Sequence, residues 1–191
     1  MRYYNTKSYS VKDTFMAASH ELELELTYLA AEIPFDTEIT ESTPMLDVYV
    51  PEDPLIHSRL RLRRNGNSFK VTKKLPVEGE DASVHTEDHI DLDETEFTTL
   101  AAASQKRIEK DRYVVPLGGR TAEVDVFKGV LKGLVLIDFE FDSPEEKLAF
   151  IPPESCLADV TTEDFIAGGN LAGRSYQDIE ADLARFDYKP L

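Results

Sequence analysis

Residues 21–30 read ELELELTYLA, with glutamate and leucine in strict alternation from Glu21 to Leu26. A β-strand sends successive side chains to opposite faces, so Glu21, Glu23 and Glu25 share one face and Leu22, Leu24 and Leu26 the other. Same-face neighbours stand roughly 7 Å apart. At an effective dielectric of about 20, each like-charged pair then repels by about 2 kcal/mol. Water would screen most of that repulsion, whereas an inward-facing row requires something cationic beside it.

The pattern recurs along the chain. Arg59, Arg61 and Arg63 alternate with Leu60 and Leu62; Lys70, Thr72 and Lys74 oppose Phe69 and Val71; Lys110 and Arg112 alternate ahead of YVV. Glu123 and Asp125 oppose Val124 and Val126, and Asp138 and Glu140 oppose Ile137, Phe139 and Phe141. An antiparallel sheet with one wet face explains any one of these strands. It does not explain the segregation by sign, with acidic pairs on the first and the two late strands and basic pairs on the middle ones. Clusters of one sign repel unless a ligand separates or neutralises them. A closed barrel with a charged interior meets that need: its carboxylates offer oxygen ligands to hard divalent cations, and its arginines and lysines grip a phosphate chain.

Turn signals divide the rest into short strands. MLDVYV runs up to Pro51, RLRLRR and SFKVTKKLP form a hairpin around Asn65-Gly66, RYVVPL precedes a turn at Gly119-Arg120, and TAEVDVFKG and GLVLIDFEF follow. Helix starts are expected at Asp93 with Glu96, at Ser143 before Pro144, at Thr161 with Asp164 and ending at Gly168-Gly169, and at Ser175 with Asp178. The acidic stretch VEGEDASVHTEDHIDLDETE (77–96) reads as a solvated edge and a helix start. Strands with helices inserted late, and no regular βαβ alternation, indicate an antiparallel α+β domain. Residues 1–20 read either as a loose arm or as a short helix capped by Ser10, and residues 21–191 as one domain.

Composition narrows the function classes. The chain has 191 residues and a formal net charge of −16, which argues against binding nucleic acid or an anionic membrane through the overall field. One cysteine makes no internal disulfide, and no segment approaches the roughly 20 apolar residues that span a bilayer. A cytoplasmic protein is expected.

Taken together, ELELTYLA, RLRLRR, KVTKK, AEVDVFKGVLKGLVLIDFEF and DVTTEDFIAGGNLAG make the sequence similar to the CYTH domain, the triphosphate tunnel metalloenzyme superfamily, over roughly residues 21–180. The order and spacing of these motifs carry the resemblance more than any one of them. It implies an eight-stranded antiparallel β-barrel forming a tunnel, with peripheral helices, in which a triphosphate-bearing small molecule meets Mg2+ or Mn2+. By the same resemblance Glu23, Glu25, Asp138 and Glu140 are metal ligands, and Arg61, Arg63, Lys74, Lys110 and Arg112 bind phosphate. Glu23, Glu25, Lys74 and Arg112 are the expected catalytic residues. Glu123 and Asp125 also face the tunnel, either binding metal or orienting the basic residues. The implied activity is hydrolysis of tripolyphosphate or of a nucleoside or thiamine triphosphate. The alternatives are a non-catalytic module that binds polyphosphate or nucleotide, or an adenylate cyclase, and a homodimer is left open. One departure stands out: the family pattern ExExK has a lysine where this chain has Thr27, which puts the activity itself in question.

Other constellations carry less. LGGRTAE lacks the lysine and spacing of a Walker loop, and the glycines of IAGGNLAG fit turn chemistry better than a nucleotide loop. His20, His57, His85 and His89 show no zinc spacing with Cys156, which reads as a packed thiol. Tyr176, Ile179, Leu183 and Phe186 fall at helical spacing and read as core, with a tunnel-capping role as the alternative.

Overall fold

A computed structural model of the chain describes residues 21–191 with the exception of 54 and 80; the arm or helix expected over residues 1–20 lies outside the described residues. Nine strands are present among the described residues: β1 (Glu21–Ala30), β2 (Thr43–Val50), β3 (Leu60–Asn65), β4 (Ser68–Pro76), β5 (Val84–Leu92), β6 (Arg107–Leu117), β7 (Arg120–Phe127), β8 (Val135–Glu140) and β9 (Cys156–Asp159). Every pairing is antiparallel, in the order β5-β4-β3-β2-β6-β7-β8-β1, and a further β1–β5 pairing closes the ring. The expected eight-stranded barrel is therefore formed. β9 is additional: Tyr28, Leu29 and Ala30 pair with it while residues 25–29 pair with β8, so β9 continues the β1 edge whose first four residues are taken by β5.

The barrel is charged within and apolar without. Leu24, Val124, Ile137 and Phe139 point outward from β1, β7 and β8 and are buried beneath Ile33, Phe35 and Phe150. On the opposite wall, Val48, Leu62 and Phe69 are covered by Phe97 and Ala101 of α1 (Glu94–Ala101). That helix has the expected capping box, in which the Asp93 carboxylate accepts from the Glu96 N–H and the Glu96 carboxylate accepts from the Asp93 N–H. α2 (Pro144–Ala149) starts after Ser143, whose hydroxyl accepts from the Glu146 N–H, and α4 (Tyr176–Leu183) starts at a Ser175–Asp178 box, both as expected.

Several expectations are corrected. Residues 84–92 are a full strand rather than a solvated edge, and that strand closes the barrel. No helix begins at Thr161: residues 161–167 turn irregularly, and Gly168-Gly169 start the short α3 (Gly168–Leu171) instead of ending a helix. The β3–β4 loop consists of Gly66-Asn67, one residue later than expected, because Asn65 still pairs with Ser68 and the φ of +57° falls on Gly66, which has no Cβ to resist it.

One end of the barrel is closed. Val160, Phe165, Ile166, Leu171, Ile179, Leu183 and Tyr188 pack with Leu29, Tyr49, Ile108, Phe127 and Leu136 into one core. Tyr188 locks this lid to the wall, its hydroxyl donating to the Gly133 carbonyl (2.8 Å) and accepting from the Val135 N–H (2.8 Å).

Candidate active site

Alternation along each strand decides what lines the interior. Glu23, Glu25 and Thr27 of β1, Asp47 of β2, Arg61 and Arg63 of β3, Thr72 and Lys74 of β4, Lys110 and Arg112 of β6, Glu123 and Asp125 of β7, and Asp138 and Glu140 of β8 all line one cavity of about 480 Å³. Each residue expected to bind metal or phosphate is among them. Farther along the same rows the inward side chains become apolar, at Tyr49, Ile108, Phe127 and Leu136. The cavity is thus a charged cup on an apolar floor. Its open side is bordered by Glu23, Glu123, Asp138 and Glu140, next to the Gly118-Gly119 turn.

Carboxylates hold the basic wall in place. Asp47, almost fully buried, takes two hydrogen bonds from Arg63, Nε to Oδ1 and Nη2 to Oδ2, each 2.7 Å. Asp125, equally buried, takes the same fork from Arg112 (2.7 Å and 2.7 Å) and also pairs with Lys110. Glu123 pairs with Arg112 as well. Of the two roles open to Glu123 and Asp125, the geometry matches orientation of the basic residues. Burial alone would raise the pKa of Asp47 and Asp125, but the facing cations (Arg63 for Asp47, Lys110 and Arg112 for Asp125) outweigh it and hold both well below the usual carboxylate range.

On the opposite side the carboxylates crowd one another. Asp138 is pushed up to about 7 by burial and by the charge of Asp125, with Arg112 offsetting only part. Glu140 is raised by burial and by Glu123, Glu23 and Glu25. Glu23 behaves otherwise: burial pushes it up, but the hydrogen bond with His85 and the Lys74 charge bring it down to about 2. Lys74 Nζ stands 3.1 Å from Glu25, 3.4 Å from Glu23 and 3.6 Å from Glu87. Those three acids raise its pKa against the pull of burial. Thr27, at the position of the missing lysine, donates its hydroxyl to Asp138 Oδ1 (2.7 Å), while its N–H donates to Thr161 Oγ1 (3.0 Å).

Asp47, His85 and Glu87 are lining residues that the sequence analysis did not place in the cavity. Asp47 sits in a strand that was recognised, but it is a single charge with no partner at the next inward position, which is Tyr49. His85 and Glu87 belong to β5, whose outward row includes Thr86, Asp88 and the exposed Ile90 and so shows no apolar face. His85 lines the cavity, whereas His89, farther along the same strand, is exposed. A barrel of eight strands with only seven in evidence was the available signal for the eighth.

This arrangement fits a cation bound among carboxylates and a polyanion held by the basic wall. Among the described residues the buried Nε of Arg61 has no hydrogen-bond partner, which leaves a donor directed at the cavity wall. The crowded carboxylates are hard oxygen donors of the kind that bind divalent ions.

No protein-family model matches the chain. A curated relative, the inorganic triphosphatase of Nitrosomonas europaea, is 36% identical over 146 residues, which is 74% of this chain and 90% of that protein. Among solved structures, the inorganic triphosphatase NE1496 is 31% identical with a TM-score of 0.58, covering 78% of this chain and 93% of that one. Another crystal structure, of the hypothetical protein NE1496, is 32% identical with a TM-score of 0.59 and covers 80% and 99%. With the barrel closed, its charged rows turned inward and a relative of this identity matched over nearly its whole length, the chain belongs to the CYTH family of triphosphate tunnel metalloenzymes.

Proposed function

We propose that the chain is a metal-dependent hydrolase of small triphosphate-bearing molecules, with inorganic tripolyphosphate as its substrate and Mg2+ or Mn2+ as its metal. The observation that carries this is the meeting of Arg61, Arg63, Lys110 and Arg112 with the carboxylates of β1 and β8 in one closed-ended cup. The relatives named as inorganic triphosphatases support the choice of substrate. So does the apolar floor, which offers a long polyphosphate chain no charged partners beyond the cup.

Residues 21–191 form the working unit. Arg61, Arg63, Lys74, Lys110 and Arg112 bind the phosphate chain and stabilise charge developing on the transferred phosphoryl group. Asp47, Asp125 and Glu123 hold three of those cations in position. Glu23, Glu25, Asp138 and Glu140 would hold the metal, whose contribution when bound is to neutralise phosphate oxygens and lower the pKa of a water. Thr27 keeps Asp138 oriented from the position where a lysine is otherwise expected. The charge of −16 favours a small-molecule substrate over nucleic acid or membrane, and the lone free cysteine fits a cytoplasmic setting. Among the described residues no helix is long and apolar enough to cross a membrane.

The test is phosphate release from tripolyphosphate, ATP and thiamine triphosphate with Mg2+, Mn2+ or Ca2+, beside a Glu23→Gln, Glu25→Gln double variant. Release that is fastest from tripolyphosphate, needs metal and falls at least about 100-fold in the double variant is expected. Tight binding without turnover would instead identify a binding module.

A further inference from the structure

Closure of the barrel pairs Glu23 of β1 directly with His85 of β5. The imidazole is almost fully buried and points into the cup, with Nε2 2.6 Å from Glu23 Oε2 and Nδ1 3.9 Å from Glu25 Oε1. One donor atom from each of Glu23, Glu25 and His85 can be chosen so that all three lie within 4.8 Å of one another. Ligands bonded at about 2.1 Å to a single ion stand about 3 Å apart when adjacent and about 4.2 Å apart when opposite. The three donors therefore fit around one ion with small side-chain adjustments.

The chemistry of the set is mixed. Mg2+ favours oxygen ligands and sheds its waters reluctantly, whereas first-row transition ions accept imidazole nitrogen, Mn2+ least strongly and the later ions more so. Asp138 and Glu140 offer oxygen alone, and among the described residues His85 is the imidazole that the structure sets beside the β1 carboxylates. We propose that His85 is a metal ligand of this chain, joining Glu23 and Glu25 in a carboxylate–imidazole site that selects a divalent first-row transition ion over Mg2+. The inference rests on the metal-dependent function proposed above and deepens it. Lys74 is the resident counter-ion of the same two carboxylates, and an incoming metal competes with its ammonium.

The test uses the full chain after chelation, titrated with Mn2+ or Mg2+ by calorimetry, with pulsed EPR of the Mn2+ complex. The expected spectrum shows modulation from directly bound ¹⁴N. His85→Gln should abolish it and weaken Mn2+ binding by about tenfold or more, with Mg2+ binding changed less than about threefold. A wild-type Mn2+ complex without nitrogen modulation overturns the proposal, whether or not the variant folds. So does an equal loss of both ions in His85→Gln. The underlying function fails in a different way: wild type binding neither ion, or the Glu23→Gln, Glu25→Gln variant binding both as tightly as wild type.

Discussion

Buried charge pairs set the behaviour of single residues here. Asp125 faces both Lys110 and Arg112 with almost no exposure, so Asp125→Asn takes from Lys110 the carboxylate it pairs with and leaves Arg112 to Glu123 and the more distant Asp138. Removing one partner of a buried pair costs about 3–5 kcal/mol, and the urea midpoint at neutral pH should fall accordingly. Asp47 makes a pH-dependent contribution of definite sign. Its pKa in the fold lies well below the usual value, so the folded state binds fewer protons there than the unfolded chain does. The stabilisation is complete above the unfolded value of about 4 and is lost as pH falls through the folded value. Urea melts of wild type and Asp47→Asn should therefore differ most near neutrality and converge as pH drops from about 5 toward 2. At this scale the sequence told much: the sign of the inward rows of β1, β3, β4, β6, β7 and β8 was legible because charges at every second position can share only one face. Which carboxylates pair with the arginines and which crowd one another was not legible, because both kinds look alike along a strand.

At the level of elements, the lid depends on two glycines for reasons unrelated to turn conformation. A Cβ on Gly168 would overlap the Tyr49 hydroxyl, and one on Gly169 would overlap the Ser58 carbonyl and press on the His57 ring. Backbone cannot yield as a side-chain tip can. Gly169→Ala should lose about 1–3 kcal/mol, read as a lower thermal midpoint. Gly168→Ala should be partly rescued by Tyr49→Phe, which removes the nearest clashing atom, whereas the same phenylalanine should not help Gly169→Ala. Helix starts at Asp93, Ser143 and Ser175 were readable because a cap is a local hydrogen bond. The start expected at Thr161 was not realised: its hydroxyl accepts from the N–H of Thr27 and donates to Asp159, tying the segment to β1 instead of capping a turn of helix.

Across the whole molecule, the C-terminal residues complete the core at the closed end. Ile179 and Leu183 are fully or nearly fully buried, and Tyr188 satisfies two backbone groups of the wall. Tyr188→Phe leaves the Val135 N–H without its acceptor, and a lost buried hydrogen bond of this kind costs about 1–3 kcal/mol. Deleting 173–191 exposes the apolar floor, and size-exclusion chromatography should show aggregation in place of a monodisperse peak. The sequence by itself determined the barrel strands with two-residue periodicity, the sign of the charged rows on six of them and the family resemblance, because alternation and caps are properties of near neighbours in the chain. Only the tertiary structure decided that β5 closes the ring and sets His85 against Glu23, that Asp47 and Asp125 serve the arginines, and that the tunnel ends in a floor. Each of those depends on residues distant in sequence meeting across a closed sheet, where the energy of a charge is fixed by what faces it.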